Sequence, residues 1–335
     1  MRRNKIIVLA FCIGAVFIGI FSLFWGAYDL GPLKIIRILF SRIIPGIKDW
    51  DSIDESALLN VRLPRIIFTA LAGATLSVSG AVLQAMFRNP LVSPYLLGIS
   101  NGATFGAALT LVLFSAANSV LFQFSAFIFG FLAVLLTISI ARLFSDFNNL
   151  VIILVGVVVG ALFRGGLSLI EYFAKPDDLQ LLVIWKMGSF ARTEWNDVLI
   201  FLPIAVIGCS LIVSLSFRIN ILSMGEEEAS VLGIRPFPLK LTLIILTSVM
   251  TSVAVCLCGP IGWIGLVIPH TVRLIIGPDN RLLLPGCIGL GASFLLLVDI
   301  FARKVYKAEI PVEIITTLIG GVFFIFLLIR MRRKT

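Results

Sequence analysis

Leu150-Val-Ile-Ile-Leu-Val-Gly-Val-Val-Val-Gly-Ala-Leu-Phe163 carries no charge and only two glycines among large apolar side chains. Extended to residue 172, the run suits a helix crossing about 30 Å of hydrocarbon at about 1.5 Å per residue. Similar blocks recur on both sides, giving candidate spans at 6–27, 64–86, 94–114, 120–141, 150–172, 196–217, 240–258, 260–276, 283–302 and 311–330. No polar faces are available to cover such helices in water. Of the 335 residues, 59% are hydrophobic and 13% charged, and the mean hydropathy is +1.09. The pattern predicts an all-α membrane protein, a polytopic bundle of about ten transmembrane helices with short surface helices in its loops.

The net charge of +9, from 27 Lys+Arg and 18 Asp+Glu, is scattered through short loops. Such charge sets membrane topology and does not imply a nucleic-acid partner. An even number of spans places both termini on one side. Both ends are basic, with Arg2, Arg3 and Lys5 at one and Arg330, Arg332, Arg333 and Lys334 at the other. That bias predicts both termini in the cytoplasm of a cytoplasmic (inner) membrane protein; the loops divide Lys and Arg nearly evenly and add little. The apolar run Ile6 to Trp25 is longer than a signal-peptide core and is read as a retained first span. Cys12, Cys209, Cys256, Cys258 and Cys287 all lie inside apolar blocks and read as small packing residues, with no metal site or cofactor implied.

Three connections are long enough to hold structure. Residues 28–63 include an apolar segment, Pro32 to Ile44, expected as a short helix near the membrane surface, and residues 173–195 include a helical stretch from Leu179 to Met187. Both fall on the outer side. The inner loop 218–239 holds Gly225-Glu-Glu-Glu-Ala-Ser-Val-Leu-Gly233, whose acidic triplet suits the positive start of a short helix.

Small residues point to close helix packing: Gly73, Ser77, Gly80 and Ala81 in the second span, Gly156 and Gly160 in the fifth, Gly286, Gly289 and Gly291 in the ninth. The stretch from Phe87 to Gly102 is different. Asn89, Pro90, Pro94, Gly98, Ser100, Asn101 and Gly102 interrupt an apolar region and leave backbone groups that need partners. Such backbone is tolerated at membrane depth only inside protein or along a cavity, and broken helices recur where transporters bind or gate. A second interruption falls at Gly259-Pro260, so one of the flanking spans is expected to be broken or half-length.

These motifs carry a resemblance. Arg62-Leu-Pro-Arg65, Gly80-Ala-Val-Leu-Gln84, Asn89-Pro-Leu91, Leu97-Gly-Ile-Ser-Asn-Gly102 and Gly225-Glu-Glu-Glu-Ala229 with Leu232-Gly233 resemble the permease family of ABC importers for iron chelates, haem and cobalamin. The likeness is strongest in Gly259-Pro-Ile-Gly-Trp-Ile-Gly-Leu-Val-Ile-Pro-His270, Arg273, Arg281-Leu-Leu-Leu-Pro285 and Glu309-Ile-Pro311. It covers most of the chain in order, with Trp263 where Phe is more usual and Asn280 where His is common. It implies one permease domain over 1–335, ten membrane helices and cytoplasmic termini.

The resemblance also assigns roles. Gly225, Glu226, Glu227, Glu228, Ala229, Leu232 and Gly233 match the coupling element that docks into an ATPase subunit. Arg62, Arg65 and Arg303 match outer-face arginines that contact carboxylates of an extracytoplasmic substrate-binding protein; as exposed groups they would steer docking. Asn148 and Asn149 fall near the family's inner gate, though helix capping accounts for them as well. Arg164, about a third of the way into the fifth span from its outer end, and Glu171, two turns on, are read from the residues as facing the outer vestibule, where Arg164 could attract an anionic chelate; a snorkelling or structurally paired arginine is the alternative. His270, the single histidine, offers no metal set and reads as structural at a helix break.

The implied assembly is a homodimer with two ATP-binding cassette subunits, a binding protein and the lipid bilayer, translocating a metal chelate of the iron-siderophore type. Haem, cobalamin or an oxyanion such as molybdate are the alternatives. The chain has no GxxxxGK[ST] phosphate cradle, so it is a transport subunit and not an enzyme, with energy from partners. An ion-coupled secondary transporter would need acids at span centres, where almost none occur. An intramembrane enzyme would need a buried catalytic constellation, and none is visible.

Overall fold

A computed structural model describes residues 2–26, 28–41, 49–114, 119–144, 148–305 and 309–332, without the side chains of 327, 328 and 330–332. All regular structure among them is helical. The expected spans are matched in order by α1 (Arg2–Ser22), α4 (Leu63–Phe87), α5 (Ile99–Phe114), α6 (Ser119–Ala141), α7 (Asn149–Phe173), α9 (Trp195–Ser214), α12 (Pro236–Cys258), α13 (Ile264–Ile276), α14 (Asn280–Lys304) and α15 (Val312–Arg332). Among the described residues, seven spans are long and apolar enough to cross a membrane, while α5, α13 and the stretch Val312–Phe326 of α15 are shorter. The chain is an all-α membrane protein.

Loop helices fill the connections. They are α2 (Pro32–Ser41), α3 (Ser52–Ser56), α8 (Pro176–Lys186), α10 (Ser216–Leu222) and α11 (Glu226–Val231). The helix expected over Pro32–Ile44 is thus α2, with 42–44 outside the described residues. The one expected from Leu179 starts at Pro176, because a proline needs no hydrogen-bond acceptor in the first turn. Pro236 starts α12 before residue 240 in the same way. The inner loop 218–239 is therefore more helical than its sequence suggested. The basic side chains of Arg330, Arg332, Arg333 and Lys334 lie outside the described residues.

α4 is buried along nearly its whole length and packs against α9, α12, α13 and α14. α5, α6 and α7 form a second group beside it, and α1 lies along α14 with only Ser22 buried. The close approaches come at glycines: a Cβ on Gly80 would overlap the Gly265 carbonyl, and one on Gly73 the backbone of Gly291. Ser77 Oγ uses the same proximity to donate to Cys287 O at 2.7 Å. α1 and α14 run parallel, since Asn4 Nδ2 donates to Ile276 O beside the start of α14 (2.8 Å) and Arg303 Nη2 donates to Ser22 Oγ at the other end (2.6 Å). α15 starts beside Gly188 at that far end and runs back, so both termini share one end of the bundle.

α5 and α13 are short because each follows a bend. Pro94–Leu97 forms a 3-10 turn before α5, so the span expected from residue 94 becomes α-helical only at Ile99. Non-helical backbone from Gly259 to Trp263 precedes α13. The Tyr95 hydroxyl links the two bends, donating to Ile261 O at 2.7 Å and accepting from Ile261 N at 3.1 Å. The second bend is also closed by Ser189 N donating to Cys258 O at 2.8 Å and Val312 N donating to Gly188 O at 3.1 Å.

Candidate functional site

At the end carrying both termini, Gly225 turns the chain (φ 157) into α11, whose first turn is Glu226, Glu227 and Glu228. Ala229 is buried and anchors the helix; Ile234 N donates back to Ala229 O at 2.9 Å, and Gly233 closes the turn with φ 79. Val231 and Leu232 project outward, 87% and 56% exposed. The residues expected in a coupling element are thus gathered on one short, anchored, apolar-tipped helix. Beside it lies a cleft of about 290 Å³ lined by Met86, Arg88, Asn149, Leu222 and the acidic triplet.

Asn148 and Asn149 part company. Asn148 caps α7, its Oδ1 accepting from Val151 N at 2.9 Å. Asn149 reaches across the bundle, donating to Met86 O at 3.2 Å and accepting from Lys240 Nζ at 2.7 Å. Lys240 is fully buried and also donates to Glu226. Sequence reasoning missed Lys240, because a lysine at the edge of an apolar block reads as snorkelling. Its placement fourteen residues after an acid of the same inner loop was the available signal.

The far end holds a charged knot. Arg65 Nε and Nη2 donate to Asp299 Oδ1 at 2.9 and 2.8 Å, while Nη1 and Nη2 form a fork on Glu309 at 2.9 Å each. Arg303 Nη1 donates to Trp25 O at 2.7 Å, and its Nη2 lies 3.0 Å from Asp299 Oδ2. Arg62 donates to Leu23 O at 2.7 Å and to Tyr28 O. The expectation of exposed arginines is corrected, since Arg62, Arg65 and Arg303 are buried, at 5%, 5% and 7% exposure. The cause is local demand. Two acids and the free carbonyls at and just beyond the end of α1 need donors where water is scarce, and guanidinium forks supply them. Nearby, the Lys34 ammonium is held above its ordinary range by its hydrogen bond to Asp54, at 2.7 Å.

On α7, Arg164 is exposed and, among the described residues, has no hydrogen-bond or ion-pair partner. The same helix also exposes Leu154, Val157, Val158, Leu162 and Leu169. Glu171 turns instead to α8, where Lys186 Nζ donates to it at 2.9 Å. The expected pair is therefore split: one free cation and one strut.

The interrupted stretch is exposed at Arg88, Pro90 and Leu91 and largely buried in protein from Val92 onward. Asn89 Oδ1 accepts from Leu91 N at 2.9 Å in a tight turn after Arg88 leaves the helix with φ 55. Leu96 and Gly98 then lie on the GxxxG face of α7, where a Cβ on Gly156 would overlap Leu96 O and one on Gly160 would meet Asn101 Nδ2 at 2.9 Å. Ser100 O accepts from Thr104 Oγ1 at 2.7 Å, and a Cβ on Gly102 would overlap Phe129 O. Gln84 ties α4 to α13 beyond the second break, donating to Gly265 O at 3.0 Å and accepting from Arg273 at 3.2 and 3.3 Å. His270 meets the edge of Phe323, ring centroids 6.1 Å apart, as a packing residue would.

The comparisons with known proteins agree with this geometry. Residues 12–330 match the FecCD transport family. The molybdate import system permease protein MolB of Haemophilus influenzae is 37% identical over 319 residues, covering 95% of this chain and 94% of that protein. The vitamin B12 import system permease protein BtuC of Citrobacter koseri is 38% identical over 321 residues, covering 91% and 94%. A solved metal-chelate type ABC transporter in an inward-facing conformation superposes with a TM-score of 0.85 at 34% identity, covering 97% of this chain and 99% of that one. The helical membrane bundle, its paired breaks and these likenesses together place the chain in the FecCD transport family of ABC importer permeases.

Proposed function

We propose that two copies of this chain form the pore of a binding-protein-dependent importer. ATP hydrolysis in two cassette subunits docked on α11 drives an iron-siderophore-type chelate inward. The observation that carries the reading is α11, an anchored surface helix with Val231 and Leu232 exposed at its tip. A rigid-body movement of a partner gripping that tip can be passed to the bundle. In this reading α11 and both termini are cytoplasmic, and the whole chain acts as one permease domain in the cytoplasmic membrane. The binding protein docks at the far end, on a surface that Arg62, Arg65 and Arg303 hold in shape.

Three acids toward the far end favour ATP coupling over ion coupling. Asp299 is held by Arg65 and Arg303, Glu309 by Arg65 and Glu171 by Lys186, so none is a free proton carrier. Arg164, unpaired on α7, suits an anionic cargo passing along that helix. An oxyanion is the second reading, favoured by the 37% identity to the molybdate permease.

Proteoliposomes holding the chain with its cassette subunits and binding protein provide the test. Radiolabelled ferric siderophore, cobalamin, haem and molybdate are offered in turn, with and without ATP. ATP-dependent accumulation of the ferric siderophore alone is the expected result. Accumulation of molybdate alone would replace the substrate, and uptake without the cassette subunits would overturn the mechanism.

A further inference from the structure

We infer that Lys240 is a positioning residue for energy coupling, the strut that carries movement between α11 and the first turn of α7. The inference rests on the proposed docking of a cassette subunit on α11. Three elements meet on one ammonium group. Lys240 stands in the second turn of α12 with its side chain 1% exposed, and its Nζ donates to Glu226 at the head of α11 and to Asn149 Oδ1 at 2.7 Å, the first residue of α7. Asn149 passes the tie on, donating to Met86 O at 3.2 Å near the end of α4.

The chemistry makes this tie stiff. A buried ammonium left without partners is strongly penalised, so it follows its acceptors rather than releasing them. Glu226 is less bound, with its side chain 44% exposed, and sits on the element a partner would move. Displacing α11 therefore drags Nζ, and Nζ draws on the Asn149 amide at the end of α7. That helix also carries Arg164. The same chain of contacts runs in reverse, so an event at the far end that shifts α7 reaches α11. Apolar burial of Ala229 fixes where α11 sits; the ammonium fixes what moves with it. Arginine at this position keeps the charge and the donors, while methionine keeps only the length.

The test uses the complete complex in proteoliposomes and reads the fold stimulation of ATP hydrolysis by the binding protein, a signal that must cross the bundle and needs no knowledge of the cargo. For Lys240→Met, stimulation is expected to fall about tenfold, within the usual range of coupling between sites, with basal hydrolysis retained. Lys240→Arg is expected to stay within about twofold of the unaltered complex. Glu226→Gln, at a half-exposed side chain whose amide oxygen still offers the ammonium an acceptor, should lose stimulation as Lys240→Met does, and the exchanged pair Glu226→Lys with Lys240→Glu should regain part of it. Unaltered stimulation in Glu226→Gln overturns the strut, and decides the matter even if Lys240→Met fails to insert. A cross-link from Val231→Cys to the cassette subunit separates the two readings. Without it, docking on α11 fails; with it, and with stimulation unchanged in the variants, only the strut fails.

Discussion

Arg65 shows what one side chain does when two acids and a helix end compete for donors in a dry place. Its guanidinium serves Asp299 and Glu309 together, at 2.8 to 2.9 Å. Removing one member of a buried pair leaves the others uncompensated, so Arg65→Ala is expected to lose about 3–5 kcal/mol of stability. Thermal unfolding in detergent would register this as a lowered Tm, whereas a purely intermolecular role would leave Tm unmoved and weaken only binding-protein affinity. Tyr95→Phe is a milder case. It strips both hydrogen bonds from Ile261, an expected loss of about 1–3 kcal/mol by the same assay. The arginines also mark where sequence reading stops. Their basic character, their place near a membrane surface and the Asp299–Arg303 spacing of four were legible, but the carboxylates of Arg65 lie more than two hundred residues away and the other acceptors are backbone carbonyls just beyond α1, which no local pattern announces. Lys240 escaped for the same reason, since its neighbours in sequence say nothing of Asn149.

At the scale of elements, the spans were legible because an apolar run of bilayer length has few other uses. The two interruptions were legible because proline and glycine leave backbone groups that a helix would have satisfied. What stayed hidden was their company. The GxxxG of α7 reads as a generic helix contact, yet it receives the bent segment around Leu96, not another straight helix. Gly156→Leu should therefore do more harm than a leucine on the open side of α7. Overpacking of a tight site costs about 1–3 kcal/mol or more, and the bend must shift with it. Gly165→Leu, where an added Cβ meets nothing within 4 Å, is the matched control. Detergent-phase Tm and yield of folded protein should fall for the first and hold for the second. Pro176 and Pro236 moved helix starts by a few residues, the scale at which first-turn chemistry outweighs hydropathy.

For the whole molecule, the exposed face of α7 is the feature that one chain leaves unfinished. Leu154, Val157, Val158 and Leu162 are exposed on the same helix as an unpaired Arg164, and hydrocarbon is a costly setting for a guanidinium. Pairing α7 with a second copy across a wet pathway removes that cost. Leu162→Cys should then cross-link between copies in membranes with a short bifunctional reagent; a monomer on denaturing gels under all oxidising conditions would argue against the dimer. Arg164→Glu should lower uptake of an anionic cargo by about tenfold, because a reversed charge repels where the cation attracted. Arg164→Lys should retain most of it. Initial rates at low ionic strength would show both effects most clearly.

The phenol of Tyr95 has one more implication. By serving both the N–H and the carbonyl of one residue, Ile261, on the opposite discontinuity, it ties two kinks into one joint. Straightening α5 or α13 alone then means giving up both hydrogen bonds. An alternation between inward and outward access that keeps them swings this joint as a block, and the left-handed corners at Arg88 and Gly277 flank it.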